Sequence, residues 1–122
     1  LQLPFAYIRA SAKEHGLGNM IEGKVNVGDK VLVIEDLIST GMSSLKAVDA
    51  LRAADTEVLG MAAIFTYGFE KASVSFEEKK CNLFTLTNYY FLLEAALETG
   101  YINANDMDSL NSWLLNPAEW GK

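Results

Sequence analysis

The sequence predicts an α/β fold built on a parallel sheet, and three observations carry that expectation. Apolar, strand-like runs recur at Val31-Leu32-Val33-Ile34, at Glu57 to Phe65 and at Asn82-Leu83-Phe84-Thr85-Leu86. Between them lie stretches with helical spacing, Leu45, Val48 and Leu51 first and then Phe69, Ala72 and Phe76. Strands that alternate with helices imply parallel strands joined by crossovers. With 122 residues, half of them hydrophobic, the chain is long enough for one domain with a real core.

The elements follow in order. Phe5 to Arg9 reads as a short strand. From Ser11 to Gly28 four glycines (16, 18, 23 and 28) and little apolar periodicity give a long loop with room for a short hairpin. Loops of this length inside a compact domain are uncommon and usually functional or disordered, and this one is expected to be mobile. Lys30 to Asp36 reads as the central strand. Ser44 to Arg52 then forms a helix with Leu45, Val48 and Leu51 on its buried stripe and Lys46, Asp49 and Arg52 toward solvent. Glu57 to Phe65 is apolar enough to be covered on both faces. A helix runs from about Phe69 to Lys79-Lys80, and the last strand is Asn82 to Leu86. Thr87 or Asn88 caps an apolar helix, Tyr89 to Thr99, which Gly100 stops. Asn105 or Asp106 opens a final amphipathic helix through Met107, Leu110, Trp113 and Leu114, ended by Asn116-Pro117.

Bulk charge excludes some functions. The net charge of −6 repels nucleic acid and anionic membrane surfaces. No apolar run approaches the roughly 18–20 residues of a membrane span. Cys81 is the sole cysteine, so no intrachain disulfide can form, and a reducing, cytoplasmic compartment is the simpler expectation. The start, Leu1-Gln2-Leu3-Pro4-Phe5, has no charged n-region of a signal peptide and enters a strand directly, as a longer protein cut short would.

The chemistry concentrates in Glu35-Asp36-Leu37-Ile38-Ser39-Thr40-Gly41-Met42-Ser43. Two carboxylates end an apolar strand, where desolvation without a partner costs several kcal/mol or more. A hydroxyl-and-glycine turn follows and opens a helix, whose N-terminus is a ready phosphate cradle. Acids beside a phosphate cradle suit a ligand with vicinal hydroxyls and a phosphate, such as a ribose 5-phosphate. Ligands of open α/β sheets sit beyond the carboxyl ends of the strands, where these residues fall. No lysine closes the turn as in a P-loop. Arg9, Lys13 and His15-Gly16 gather cationic and proton-donating groups ahead of flexible glycines, a clamp suited to a multiply charged anion.

The ordered string of hydrophobic strand, acid pair and small-residue loop resembles the signature of type I phosphoribosyltransferases. The Arg9, Lys13 and His15-Gly16 pattern resembles the catalytic loop of orotate phosphoribosyltransferases, and its spacing from Glu35-Asp36 also matches. The resemblance implies transfer of the ribosyl phosphate of 5-phosphoribosyl 1-pyrophosphate (PRPP) to N1 of orotate, giving orotidine 5′-phosphate and pyrophosphate in pyrimidine biosynthesis. It implies that Arg9, Lys13 and His15 neutralise the leaving pyrophosphate and that Glu35 and Asp36 hold the ribose hydroxyls. Ser39, Thr40, Gly41, Met42 and Ser43 would bind the 5′-phosphate, with Ser39 also touching orotate, and Leu37 and Ile38 are further implied substrate-binding positions. Lys13, His15 and Asp36 are the implied catalytic residues. Mg²⁺ is implied, held mainly by substrate and water, as is a homodimer in which the loop of one subunit reaches the neighbouring site. The chain would be the C-terminal portion of such an enzyme, a single partial domain over residues 1–122 without the N-terminal hood. Two departures stand out: Ala10 replaces a lysine common in the family, and Thr66-Tyr67-Gly68 stands where some members use an arginine on the orotate. The alternatives are a phosphoribosyltransferase for another base, and a non-catalytic PRPP-sensing regulator of the same fold.

Overall fold

The computed structural model describes residues 2–9 and 20–120. Three parallel strands, β3 (Lys30–Ile38), β4 (Glu57–Thr66) and β5 (Leu83–Asn88), pair in the order β3-β4-β5. The crossovers are α1 (Met42–Ala53) and α2 (Glu70–Glu78), while α3 (Tyr89–Glu98) and α4 (Asp106–Leu115) follow the last strand. A separate two-stranded ribbon pairs β1 (Tyr7–Ile8) antiparallel with β2 (Ile21–Glu22). The parallel α/β class expected from the alternation is the one observed.

One face of the sheet holds the core. Val33, Met61 and Ala63 meet Leu45, Val48 and Leu51 of α1 and Ala72 and Phe76 of α2 in one buried cluster. Ile38, Val48, Leu51 and Met61 are sealed from solvent. The stripe on α1 is the one the sequence spacing placed there. At the far end, Arg52 donates to the carbonyls of Lys79 and Lys80 at 2.6 and 3.1 Å, and Lys79 pairs with Asp49 at 2.7 Å. These contacts tie α1 to the end of α2. Cys81 lies in the same core. Burial pushes its thiol pKa up, only partly offset by Arg52, so it is a packing residue rather than a nucleophile.

Four details bear on the sequence expectations. First, β3 runs two residues beyond Asp36, to Ile38, and among the described residues it is the edge of its sheet; β4 is central. Second, β4 is covered on one face only. Ile64, with Leu32 and Ile34 of β3 and Phe84 and Leu86 of β5, is exposed on the other. Continuous apolar runs are what a parallel strand covered on both sides requires, and the run alone does not say which neighbours supply the cover. Third, the short hairpin strand for which the loop left room is at Ile21–Glu22, where Ile21 is buried and pairs with Ile8. Residues 11–19, half of the expected mobile loop, lie outside the described residues. Fourth, α1 begins at Met42 rather than Ser44.

The C-terminal helices match closely. Asn88 caps α3, its side chain accepting from the N–H of Phe91 at 3.2 Å, and Gly100 takes φ 75° just past the end. Asn88→Ala is expected to cost about 1 kcal/mol, the usual worth of such a cap, and a thermal melt measures it.

Candidate active site

Glu35 and Asp36 stand near the carboxyl end of β3, and successive strand residues face opposite ways. Glu35 is half-buried on the helix-covered side, following Val31 and Val33; Asp36 is exposed on the open side, following Leu32 and Ile34. The alternation then slips. Leu37 is exposed, and Ile38, five positions from Val33, returns to the same core as Val33. Neither carboxylate makes a hydrogen bond or ion pair among the described residues. An uncompensated acid beside an apolar strand gains nothing for the fold, so both are available to a ligand.

Ile38 anchors the turn that follows. Its side chain is fully buried and its carbonyl accepts from the N–H of Tyr67 at 3.2 Å. Its side chain therefore positions the loop and is not open to a ligand, a narrower part than a substrate contact. Ser39 and Ser43 are exposed and Thr40 is half-buried. Gly41 is the N-cap of α1 at φ 78°, and no side chain caps the helix. The first intrahelical bond is Leu45 N–H to the Gly41 carbonyl at 2.9 Å. The N–H groups of Met42, Ser43 and Ser44 thus have no intrahelical acceptor and carry the positive end of the helix dipole. Such a terminus is an anion site by construction.

Gly41 is required twice over. Its left-handed backbone disfavours any side chain, and a Cβ there would come within 2.7 Å of the Phe76 ring. Met42 has no positive φ and turns its side chain to an outer groove beside Leu45 and Lys46. Gly41→Ala is expected to lower stability by roughly 1–2 kcal/mol from the backbone alone. It should also weaken phosphate binding, because Phe76 or the turn must move. Denaturant unfolding and phosphate titration of the same variant check the two effects.

The clamp is only partly within view. Arg9 makes an ion pair with Glu22 across the β1–β2 ribbon, and its N–H bonds the Met20 carbonyl at 2.7 Å. The pair is open to solvent and so worth at most about 1 kcal/mol, little enough for an incoming anion to displace. Lys13 and His15 lie outside the described residues. Among the described residues no three His, Cys, Asp or Glu side chains converge on a metal position.

Sequence reasoning missed an aromatic corner above the strand ends. The Tyr67 ring stacks on Phe69 at 5.4 Å and meets Phe65, Tyr89 and Trp113 at 5.2, 5.9 and 5.3 Å. Trp113 also contacts Phe69 and Tyr89, which docks α4 over the ends of β4 and β5. Burial, with Tyr67 beside it, raises the Tyr89 hydroxyl pKa, so it stays protonated well beyond neutral pH. Together Ser39, Thr40, Tyr67, Phe69 and Trp113 border a cavity of about 590 Å³. The only sequence signal for it was the Thr66-Tyr67-Gly68 departure, joined to a tryptophan at a helical apolar position.

No family model matches the chain. Curated relatives do. The chain is 58% identical over 120 residues to an orotate phosphoribosyltransferase of Phocaeicola vulgatus, covering 98% of this chain and 57% of that protein. It is 57% identical over 122 residues to the orotate phosphoribosyltransferase of Listeria monocytogenes, covering all of this chain and 58% of that protein. The chain therefore spans somewhat over half the length of the relatives it matches. Among solved structures, the Mycobacterium tuberculosis orotate phosphoribosyltransferase in complex with 5-phospho-α-D-ribosyl 1-diphosphate aligns with a TM-score of 0.61 and 28% identity, over 72% of this chain and 49% of that one. The parallel sheet, the glycine-capped turn after the acid pair and identity above one half along the chain converge: this chain belongs to the orotate phosphoribosyltransferase family.

Proposed function

We propose that this chain carries the phosphoribosyl-binding part of an orotate phosphoribosyltransferase, transferring ribose 5-phosphate from PRPP to N1 of orotate. The observation that carries the reading is the Gly41-capped N-terminus of α1, open to an anion and set directly after two unpartnered carboxylates. The 5′-phosphate accepts from the N–H groups of Met42 to Ser44 and from the hydroxyls of Thr40 and Ser43. Glu35 and Asp36 accept from the 2′- and 3′-hydroxyls. Breaking the bond at the anomeric carbon leaves an oxocarbenium-like ribose and a pyrophosphate gaining charge, which Lys13, His15 and Arg9, released from Glu22, neutralise. Each such fixed donor contributes about 2.7–4 kcal/mol in a dry site. Closure of the loop over about 11–28 excludes water, which would otherwise hydrolyse the sugar.

Mg²⁺ fits this donor set, because that ion takes one or two carboxylates and completes its shell with substrate oxygens and water. Asp36, exposed at the strand end, would orient one of those waters. When bound, the ion neutralises pyrophosphate oxygens. The reading extends to a cytoplasmic homodimer whose loops cross between sites, and sedimentation of the intact protein tests the dimer.

The experiment is a base panel with the intact protein, PRPP and Mg²⁺. Orotate-dependent release of pyrophosphate is expected, with adenine, guanine, hypoxanthine and uracil left untouched. Turnover with another base alone assigns a different phosphoribosyltransferase. PRPP binding without turnover of any base assigns a sensor.

A further inference from the structure

We propose that Phe76 of α2 is the positioning residue of the anion-binding turn, its ring packed against Gly41 so that the amides of Met42, Ser43 and Ser44 are set before a ligand arrives. The inference deepens the reading given under Proposed function and rests on it. Groups that must be ordered on binding weaken that binding, so a turn that receives an anion gains from being held in advance. A helix start commonly obtains such order from a side-chain cap. α1 has none: its N-cap is Gly41 at φ 78°, with no capping side chain. Glycine is also the residue with the most backbone freedom to lose. Packing has to hold what no cap holds.

Phe76 supplies that packing. A Cβ built on Gly41 would stand 2.7 Å from one ring carbon of Phe76 and 3.2 Å from its neighbour, against 3.8 Å to a methyl of Leu45. The ring thus occupies the space that a side chain at 41 would take. Gly41 and Phe76 are both buried, while Ser39, Met42 and Ser43 around them are exposed. The ring itself has little freedom. The Phe76 carbonyl accepts from the Cys81 N–H at 3.0 Å, and Arg52 of α1 holds the carbonyls of Lys79 and Lys80 just beyond. Before the turn, Ile38 is fixed by its buried side chain and by the Tyr67 N–H on its carbonyl. Ile38 and Phe76 therefore hold the turn between two points. Close-packed interiors pass a displacement on to their neighbours, so a smaller side chain at 76 releases Gly41 and the amides that follow it.

Titration of the intact protein tests the proposal through Phe76→Leu, which keeps apolar bulk and removes the ring edge at Gly41. Leu51→Ala, in the same core cluster but near the other end of α1, controls for general loss of packing. Phe76→Leu should raise the dissociation constants of PRPP and of inorganic phosphate about fivefold or more, because the turn must then be ordered by the ligand. Leu51→Ala should leave both within about twofold at an equal or greater loss of melting temperature, as distant sites act independently. Gly41→Ala should cost less affinity in the Phe76→Leu background than in the wild type, since the shorter side chain makes room for the methyl. Phe76→Met reads the same contrast should Phe76→Leu fail to fold. Equal weakening by Phe76→Leu and Leu51→Ala, or a Gly41→Ala loss that is the same in both backgrounds, makes Phe76 a core residue only and overturns the proposal while leaving the enzyme reading intact. A wild-type protein that does not bind PRPP overturns the enzyme reading first, and this proposal with it.

Discussion

Lys13→Ala in the intact enzyme is expected to lower turnover on the order of a hundredfold or more, the usual loss when one donor to a developing anion is removed. The expectation rests on the sequence, because Lys13 sits between Arg9 and His15 in a glycine-rich stretch of an otherwise acidic chain. The described part of the clamp agrees with a switchable anion site. Arg9 is held by Glu22 in a solvent-exposed pair, so a multiply charged ligand can take it over at small cost. The melting temperature should move little, because the role proposed for Lys13 lies with the leaving group and not with the fold. Turnover and a thermal melt decide the matter. Near-normal turnover in a folded variant removes Lys13 from the mechanism.

Asp36→Asn is expected to weaken PRPP binding by roughly 1.5–3 kcal/mol, the range for hydrogen bonds to charged groups. The replacement keeps shape and removes an ionised acceptor. Asp36 is exposed, with no ion pair or hydrogen bond among the described residues, so folding loses nothing with its charge. Titration calorimetry should therefore show a raised dissociation constant beside an unchanged melting temperature. The reverse pair of results, a clear loss of stability with an unaltered dissociation constant, would make Asp36 a structural residue.

The parts of the fold legible in the sequence are those with a period. The apolar runs at Val31 and Glu57 and the stripe Leu45, Val48, Leu51 gave β3, β4 and α1 because a single chain pattern determines each. Asn88 and Gly100 marked the ends of α3 through cap chemistry that acts over three or four residues. Pairing between distant segments left no such trace. A strand at Phe5 to Arg9 and room for a hairpin after it could be read, but with two residues a side in the β1–β2 ribbon nothing set the pairing of Ile8 with Ile21. The Arg9–Glu22 pair follows from that ribbon and was equally invisible. Strand order depends on which neighbours are present, so a run fit for a buried centre proved to be an edge in β3.

The site divided along the same line. The stretch proposed to take the phosphate and ribose, from Glu35 to Ser43, is contiguous, so its spacing is legible in the sequence, and the structure adds that Gly41 caps the helix. Spacing did not disclose that β3 runs on to Ile38 and buries its side chain. The aromatic corner draws Tyr67, Phe69, Tyr89 and Trp113 from well-separated positions, which only folding brings within ring contact.

The claim on which the rest depends is that the turn after β3 receives the phosphate of a phosphoribosyl ligand. Amide chemical shifts of the intact protein, followed while PRPP is added, test it most directly. The account predicts that the largest saturable changes fall on Gly41, Met42, Ser43 and Ser44, with inorganic phosphate at higher concentration moving the same amides. Saturable changes centred elsewhere, with these four amides unmoved, would contradict it.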